Sequence, residues 1–180
     1  MSKTSKVITG TNTRLSYFHG WEPASINGGA EKYSTAVLIP KSDKRTIDTI
    51  EKAIDAAIEV GLAKFGGKKP NKAEIKLPLR DGDIERDDEA YQGHYFINAN
   101  STTAPQIVDQ HVQPILDRSQ VYSGCYARVS INFYAFNANG NRGVAAGLGN
   151  IQFVRDGEPL GSQVSASDEF ETLADDDFLA

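Results

Sequence analysis

Between residues 126 and 136, side chains of two opposite characters alternate one by one. In an extended chain, successive side chains point to opposite faces. One face of this stretch therefore receives Ala127, Val129, Ile131, Phe133 and Ala135, all apolar. The other receives Tyr126, Arg128, Ser130, Asn132, Tyr134 and Phe136, a mixture of rings, a guanidinium and hydrogen-bonding groups. A purely solvated face rarely carries three large rings. Rings stack on the π-face of any base at roughly 1–3 kcal/mol per base, and a guanidinium stacks on a base or pairs with a phosphate. Such a face suits an unpaired nucleic-acid strand. It suits a second core layer beneath a helix or loop equally well, and parity alone does not separate the two.

Other rings and cations gather in the sequence. Tyr17, Phe18 and Trp21 lie near Arg14 and His19, Tyr33 follows Lys32, and Tyr91, Tyr95 and Phe96 surround His94. Lys68, Lys69 and Lys72 would flank a strand as a phosphate track, with affinity falling as salt rises through counterion release. An ordinary solvated loop has the same composition.

The net charge of −5 belongs to one end of the chain. Asp168, Glu169, Glu171, Asp175, Asp176 and Asp177 lie in the last thirteen residues, which hold no Lys or Arg. Removing their six negative charges leaves residues 1–167 at +1. A near-neutral body with a strongly negative end reads as a domain with an interaction tail. The end, Asp175-Asp176-Asp177-Phe178-Leu179-Ala180, sets carboxylates beside an apolar tip. The carboxylates would compete with a strand for a basic groove, and Phe178 would enter a partner's pocket. A solubilising terminus is the plainer alternative.

Catalytic constellations are not found. Asp81, Asp83 and Glu85 alternate in a Gly-containing stretch but lack the twelve-residue Ca²⁺ loop and its distal Glu. His19, His94 and His111 stand apart from carboxylate or Cys partners at ligand spacing. Cys125 reads as packed rather than nucleophilic, and residues 61–67 lack the Gly-Lys-Ser/Thr ending of a phosphate loop. The expectation is no enzymatic activity, no cofactor and no metal.

The elements that position these residues follow from periodicity and punctuation. Residues 1–10 look frayed, residues 12–18 and 32–39 read as strands, and Pro40 ends the second. Ile47, Ile50, Ile54, Ile58 and Leu62 recur at helical steps after a cap at Ser42 or Asp43, with Gly66-Gly67 as the stop. Residues 68–89 read as a long loop, basic and then acidic. Residues 91–98 look extended, residues 107–116 short strand or irregular, and residues 121–136 and 144–154 form a hairpin. Five or six strands with one helix after the second predict a mainly β fold, an OB-fold-like five-stranded barrel. It occupies residues 1–165, and residues 166–180 form a disordered acidic tail. One Cys excludes a disulfide framework, and no run of about 18 apolar residues offers a membrane span. With no apolar run behind Lys3 and Lys6, the sequence predicts a cytoplasmic protein with no membrane partner.

The chain resembles a phage family of single-stranded DNA-binding proteins. The resemblance is carried by Arg14-Leu15-Ser16-Tyr17, Lys32-Tyr33-Ser34 leading to Ile39-Pro40-Lys41, and Leu79-Arg80-Asp81-Gly82-Asp83. Residues 105–109, Tyr122-Ser123-Gly124-Cys125-Tyr126, Phe133-Tyr134-Ala135-Phe136, and Gly143-Val144 with Leu148 extend it over most of residues 12–160. It implies an OB-fold that binds single strands without sequence preference, in replication or recombination, in the cytoplasm of an infected bacterial host. The tail is similar to the acidic, aromatic-ended tips of other single-strand binders, which implies phage or host replication and recombination proteins as partners. Here, however, Leu179 and Ala180 follow Phe178. Parity selects Tyr126, Arg128, Tyr134 and Phe136 for the strand. Clustering and resemblance add Arg14, Tyr17, Trp21, Lys32 and Tyr33. A homodimer is compatible with all of this. The rival reading is a phage structural or decoration protein using the aromatic face as a protein interface.

Overall fold

The computed structural model describes residues 5–25 and 28–160. Its strands are β1 (Lys6–Ile8), β2 (Arg14–Ser25), β3 (Glu31–Pro40), β4 (Arg80–Asp81), β5 (His94–Ser101), β6 (Ile107–Val108), β7 (Tyr126–Ala138) and β8 (Asn141–Arg155). The helices are α1 (Lys44–Val60) and the short α2 (Gly82–Glu85). Five strands close into a ring in the order β2-β3-β5-β8-β7, with β7 returning to β2 through the Arg14–Tyr126 pair. Neighbours are antiparallel except β5 and β8, which meet in parallel at Asn100 and Gly147. This is the expected OB-fold-like barrel.

The predicted alternation of β7 holds. Ala127, Val129, Ile131 and Phe133 are buried, and Val37, Ile39, Ile97, Val144, Ala146 and Leu148 meet them from the other strands. The isoleucine stripe of α1 lies on β7, β1 and β8, with Ile50 and Ile58 fully buried. Each such side chain contributes about 1.5–3 kcal/mol by leaving water. Asp43 caps α1: its carboxylate accepts from the Thr46 amide at 3.3 Å and the Thr46 hydroxyl at 2.7 Å.

Three expectations are corrected. The frayed N-terminus contains β1, which pairs with residues 130–132 of β7. The helix ends at Gly61, and a 3-10 turn (Leu62–Phe65) carries the chain to Gly66, whose φ of +77° needs glycine. The long loop of residues 68–89 is largely structured. It threads between β8 and β5, pairing Lys76 with Gly143 and Arg80 with Phe96. It then covers the outer face of β3 and β5, where Ala36, Leu38, Tyr91 and Phe96 form a second small core. Polar composition concealed this: Ile75, Leu77 and Leu79 alternate and pack on the main core, but this apolar period is short and flanked by Lys, Pro and Gly, and the rest of the segment is ordered by backbone pairing and carboxylate caps.

Candidate nucleic-acid interface

Register, read strand by strand, assembles a belt around the barrel. Asn132 of β7 pairs with Gly147 of β8, Gly147 with Asn100 of β5, Asn100 with Ser34 of β3, and Ser34 with His19 of β2. Paired residues share a face, and these positions alternate with the core residues of their own strands, so the belt faces outward. On β7 the next outward residue is Tyr134, 45% exposed, opposite Ala145, with half-buried Phe136 beyond it. The row on β8 beside Asn132 and Tyr134 carries only hydrogen and methyl side chains, so an exposed ring stands over a low floor. At the other end, Lys32 is exposed beside a recess of about 230 Å³ that it shares with Ala24, Gly29, Ala30 and Asn100. The belt thus offers a stacking ring, two amide positions, an imidazole and an ammonium along a path crossing the strands, with Ser34 buried between Asn100 and His19.

The other sequence-selected residues fall elsewhere. Tyr126 faces outward on the same strand as Tyr134 but eight residues away, about 26 Å at strand rise. Its ring lies 4.1 Å from the Arg155 guanidinium carbon and 5.6 Å from that of Arg14. Arg14 also donates to the carbonyls of Gly124 at 2.9 Å and Glu158 at 2.6 Å. Arg128 donates to the Thr9 carbonyl at 3.0 Å, tying down the segment after β1. Trp21 packs half-buried on the core, its indole N–H donating to the Val121 carbonyl at 3.0 Å. Tyr33 packs on the core from the inner face of β3. Lys68 and Lys69 are exposed, whereas Lys72 pairs with Asp55 at 2.6 Å.

Tyr17 is a separate case. A bulge in β2 between Ser16 and His19 breaks the alternation, turning Phe18 onto the core and Tyr17 outward, 56% exposed. Asp81 and Asp83 hold an ammonium between them: Lys41 Nζ lies 2.8 Å from Asp81 and 2.7 Å from Asp83. Asp83 also accepts the Gly93 amide at 2.9 Å, and the Lys41 hydrogen bond, then this amide, hold its carboxyl below the usual range. These two carboxylates of the alternating stretch thus lock Lys41 and the Gly93 backbone in place. Asp175, Asp176, Asp177 and Phe178 lie outside the described residues.

Sequence reasoning missed Asn100, Gly147 and His19. Period-two parity on β5 and β8 places the first two outward, but joining them to Tyr134 requires the register.

A small closed barrel with an open, ring-bearing belt is the architecture of OB-type nucleic-acid-binding domains. The chain belongs to the family of the ssDNA-binding protein of Enterobacter phage Enc34, whose family model matches residues 5–179. It is 34% identical over 173 residues to "Putative protein p50" of Acyrthosiphon pisum secondary endosymbiont phage 1, covering 91% of each chain. Among the solved structures that share the fold are two phage proteins. One is the single-stranded DNA-binding protein of bacteriophage Enc34 in complex with ssDNA (24% identity, 87% and 90% of the two chains, TM-score 0.76). The other is gp2.5, a single-stranded DNA-binding protein encoded by bacteriophage T7 (16% identity, 92% and 94%, TM-score 0.60).

Proposed function

We propose that this chain is a phage single-stranded DNA-binding protein whose strand lies along the belt from Tyr134 to Lys32. The observation that carries the reading is the outward row Asn132, Gly147, Asn100, Ser34 and His19, with the exposed Tyr134 ring at one end. Stacking on Tyr134 serves any base, and the low floor at Ala145 and Gly147 lets a base approach the ring. Lys32, with Lys68 and Lys69, supplies phosphate charge. No reaction is assigned to it. The role is to cover and organise single strands during phage replication or recombination in the host cytoplasm. Residues 166–180 act as a separate acidic tail that competes with DNA and recruits replication or recombination proteins. Family membership and the belt both favour this reading over a structural or decoration protein.

The test is fluorescence anisotropy of a labelled oligothymidylate of about 30 nucleotides, at low and moderate salt, with duplex DNA as competitor. Tight binding, weakened by salt and not displaced by duplex, supports the proposal. No binding at low salt, with or without residues 168–180, overturns it.

A further inference from the structure

We infer that the cleft beside Tyr17 is a subsite for one unpaired base, with guanine favoured over thymine; this rests on the single-strand-binding reading. The cleft measures about 590 Å³ and is lined by Tyr17, Asp88, Glu89, Ala90, Ser123 and Leu160 among others. That volume lies within the range of small-ligand sites. It starts two residues along β2 from His19, the last position of the belt. Lys32 lies on the other side of the Ser34–His19 pair, so a strand that turns along β2 toward Ser16 instead meets the cleft next.

Tyr17 is built as a platform. Its φ of +46° is costly for a bulky side chain, and such outliers persist only where the surroundings enforce them. The enforcement is visible here. The Arg86 guanidinium carbon lies 5.3 Å from the Tyr17 ring centre, and Arg86 Nη2 donates to the Tyr17 hydroxyl at 3.0 Å. Asp88 fixes Arg86 at 2.9 Å. The Phe18 amide next in the chain donates to the Ser123 hydroxyl at 2.8 Å, locking the bulge. The ring nevertheless remains more than half exposed.

The chemistry of the lining selects what stacks there. Among the described lining residues there is no Lys or Arg, and the neighbouring Arg86 guanidinium is already paired with Asp88. Asp88 and Glu89 line the cleft, and carboxylates only accept hydrogen bonds. Guanine offers a carboxylate two adjacent donors, N1–H and the N2 amine. Thymine flanks its single N3–H with two carbonyl oxygens, which face a carboxylate unfavourably. Asp88 is committed to Arg86, which leaves Glu89 as the discriminating acceptor and Tyr17 as the stacking surface.

The experiment compares two oligonucleotides of about 12 nucleotides, all-thymine and alternating thymine–guanine, by anisotropy with the full-length chain. A third probe replaces guanine by hypoxanthine, which lacks the N2 amine. The expected result is about fivefold tighter binding of the guanine strand, the lower end for a two-bond base contact, with hypoxanthine in between. Glu89→Gln should abolish the preference while retaining thymine affinity. Tyr17→Gly, which adopts the left-handed backbone freely and so keeps the fold, should weaken both strands and abolish the preference. Equal affinities in the unmodified protein, or a preference surviving in Glu89→Gln, overturn the inference while leaving the belt intact. Failure of every strand to bind overturns the functional reading and the inference with it.

Discussion

Arg14 reaches from the first residue of β2 to the Glu158 carbonyl at 2.6 Å, pinning the segment after β8 against the barrel. The Leu160 amide donates to the Ser123 carbonyl at 2.8 Å, and the Tyr122 hydroxyl donates to Asp156 at 3.0 Å. The contact is close enough that a Cβ at Gly124, where φ is +114°, would lie 2.1 Å from the Glu158 oxygen. Residues 156–160 are thus part of the barrel. Deleting residues 161–180 should leave the urea midpoint unchanged. Deleting 156–180 should cost a few kcal/mol, at about 0.5–1.5 kcal/mol per hydrogen bond lost. Equal midpoints for the two truncations would refute this boundary.

Phe133 and Tyr134 are neighbours in sequence with opposite tasks, the first 1% exposed in the core and the second 45% exposed on the belt. Phe133→Ala should lower unfolding free energy by about 3–5 kcal/mol. Tyr134→Ala should leave stability nearly unchanged and weaken single-strand binding by about 1–3 kcal/mol, roughly five- to 150-fold in Kd. Thermal melts and anisotropy on the same two variants check the separation. Undiminished binding by the Tyr134 variant would remove the belt's ring from the site.

The barrel, its helix and the two faces of β7 were legible because a buried strand face and a helical stripe both leave strong periods. Tyr17 was reached by clustering and resemblance and not by parity, since a β-bulge shifts parity and nothing local announces it. Tyr126 and Arg128 satisfied parity, yet the outward face of β7 is not uniform along its length. Near β2 it meets Arg14, Arg155 and the Thr9 carbonyl, and only near the hairpin is it open. The belt itself joins five strands at sequence separations of up to 128 residues, from His19 to Gly147. Only register brings such positions together.

The Lys41 lock gives a pH signature. Asp83 has a lowered pKa, so its contribution is complete above the ordinary carboxylate value near 4 and is lost as pH falls through the lower folded value. Lys41 is raised, chiefly by its hydrogen bond to Asp81, so its contribution is complete below about 10.4 and lost only at still higher pH. Asp83→Asn should therefore melt below the unmodified protein at neutral pH, and the gap should close as pH falls below the ordinary carboxylate range. Asp109 and Asp117, also lowered, remain in both proteins, so the difference isolates Asp83. A gap constant with pH would exclude the ionic contribution.

The lysines after α1 differ in what they already hold. Lys72 faces Asp55 at 2.6 Å, whereas Lys68 and Lys69 are exposed beside it in sequence. A cation that neutralises a phosphate releases counterion, and for single strands the salt slope changes by about 0.7 per contact. Replacing Lys68 and Lys69 by Ala should flatten log Kd against log salt by up to about 1.4. Replacing Lys72 should change it less, because Asp55 already satisfies that charge. Deleting residues 168–180 works in the opposite direction: without its six carboxylates the chain should bind more tightly, most at low salt, where screening is weakest. The two changes act on the same electrostatic attraction if the tail competes for the strand's cations. Combining them should then give less than the sum of their separate effects on log Kd. Strict additivity would place the tail and these lysines in independent roles, and unchanged affinity on tail deletion at every salt concentration would rule out competition altogether.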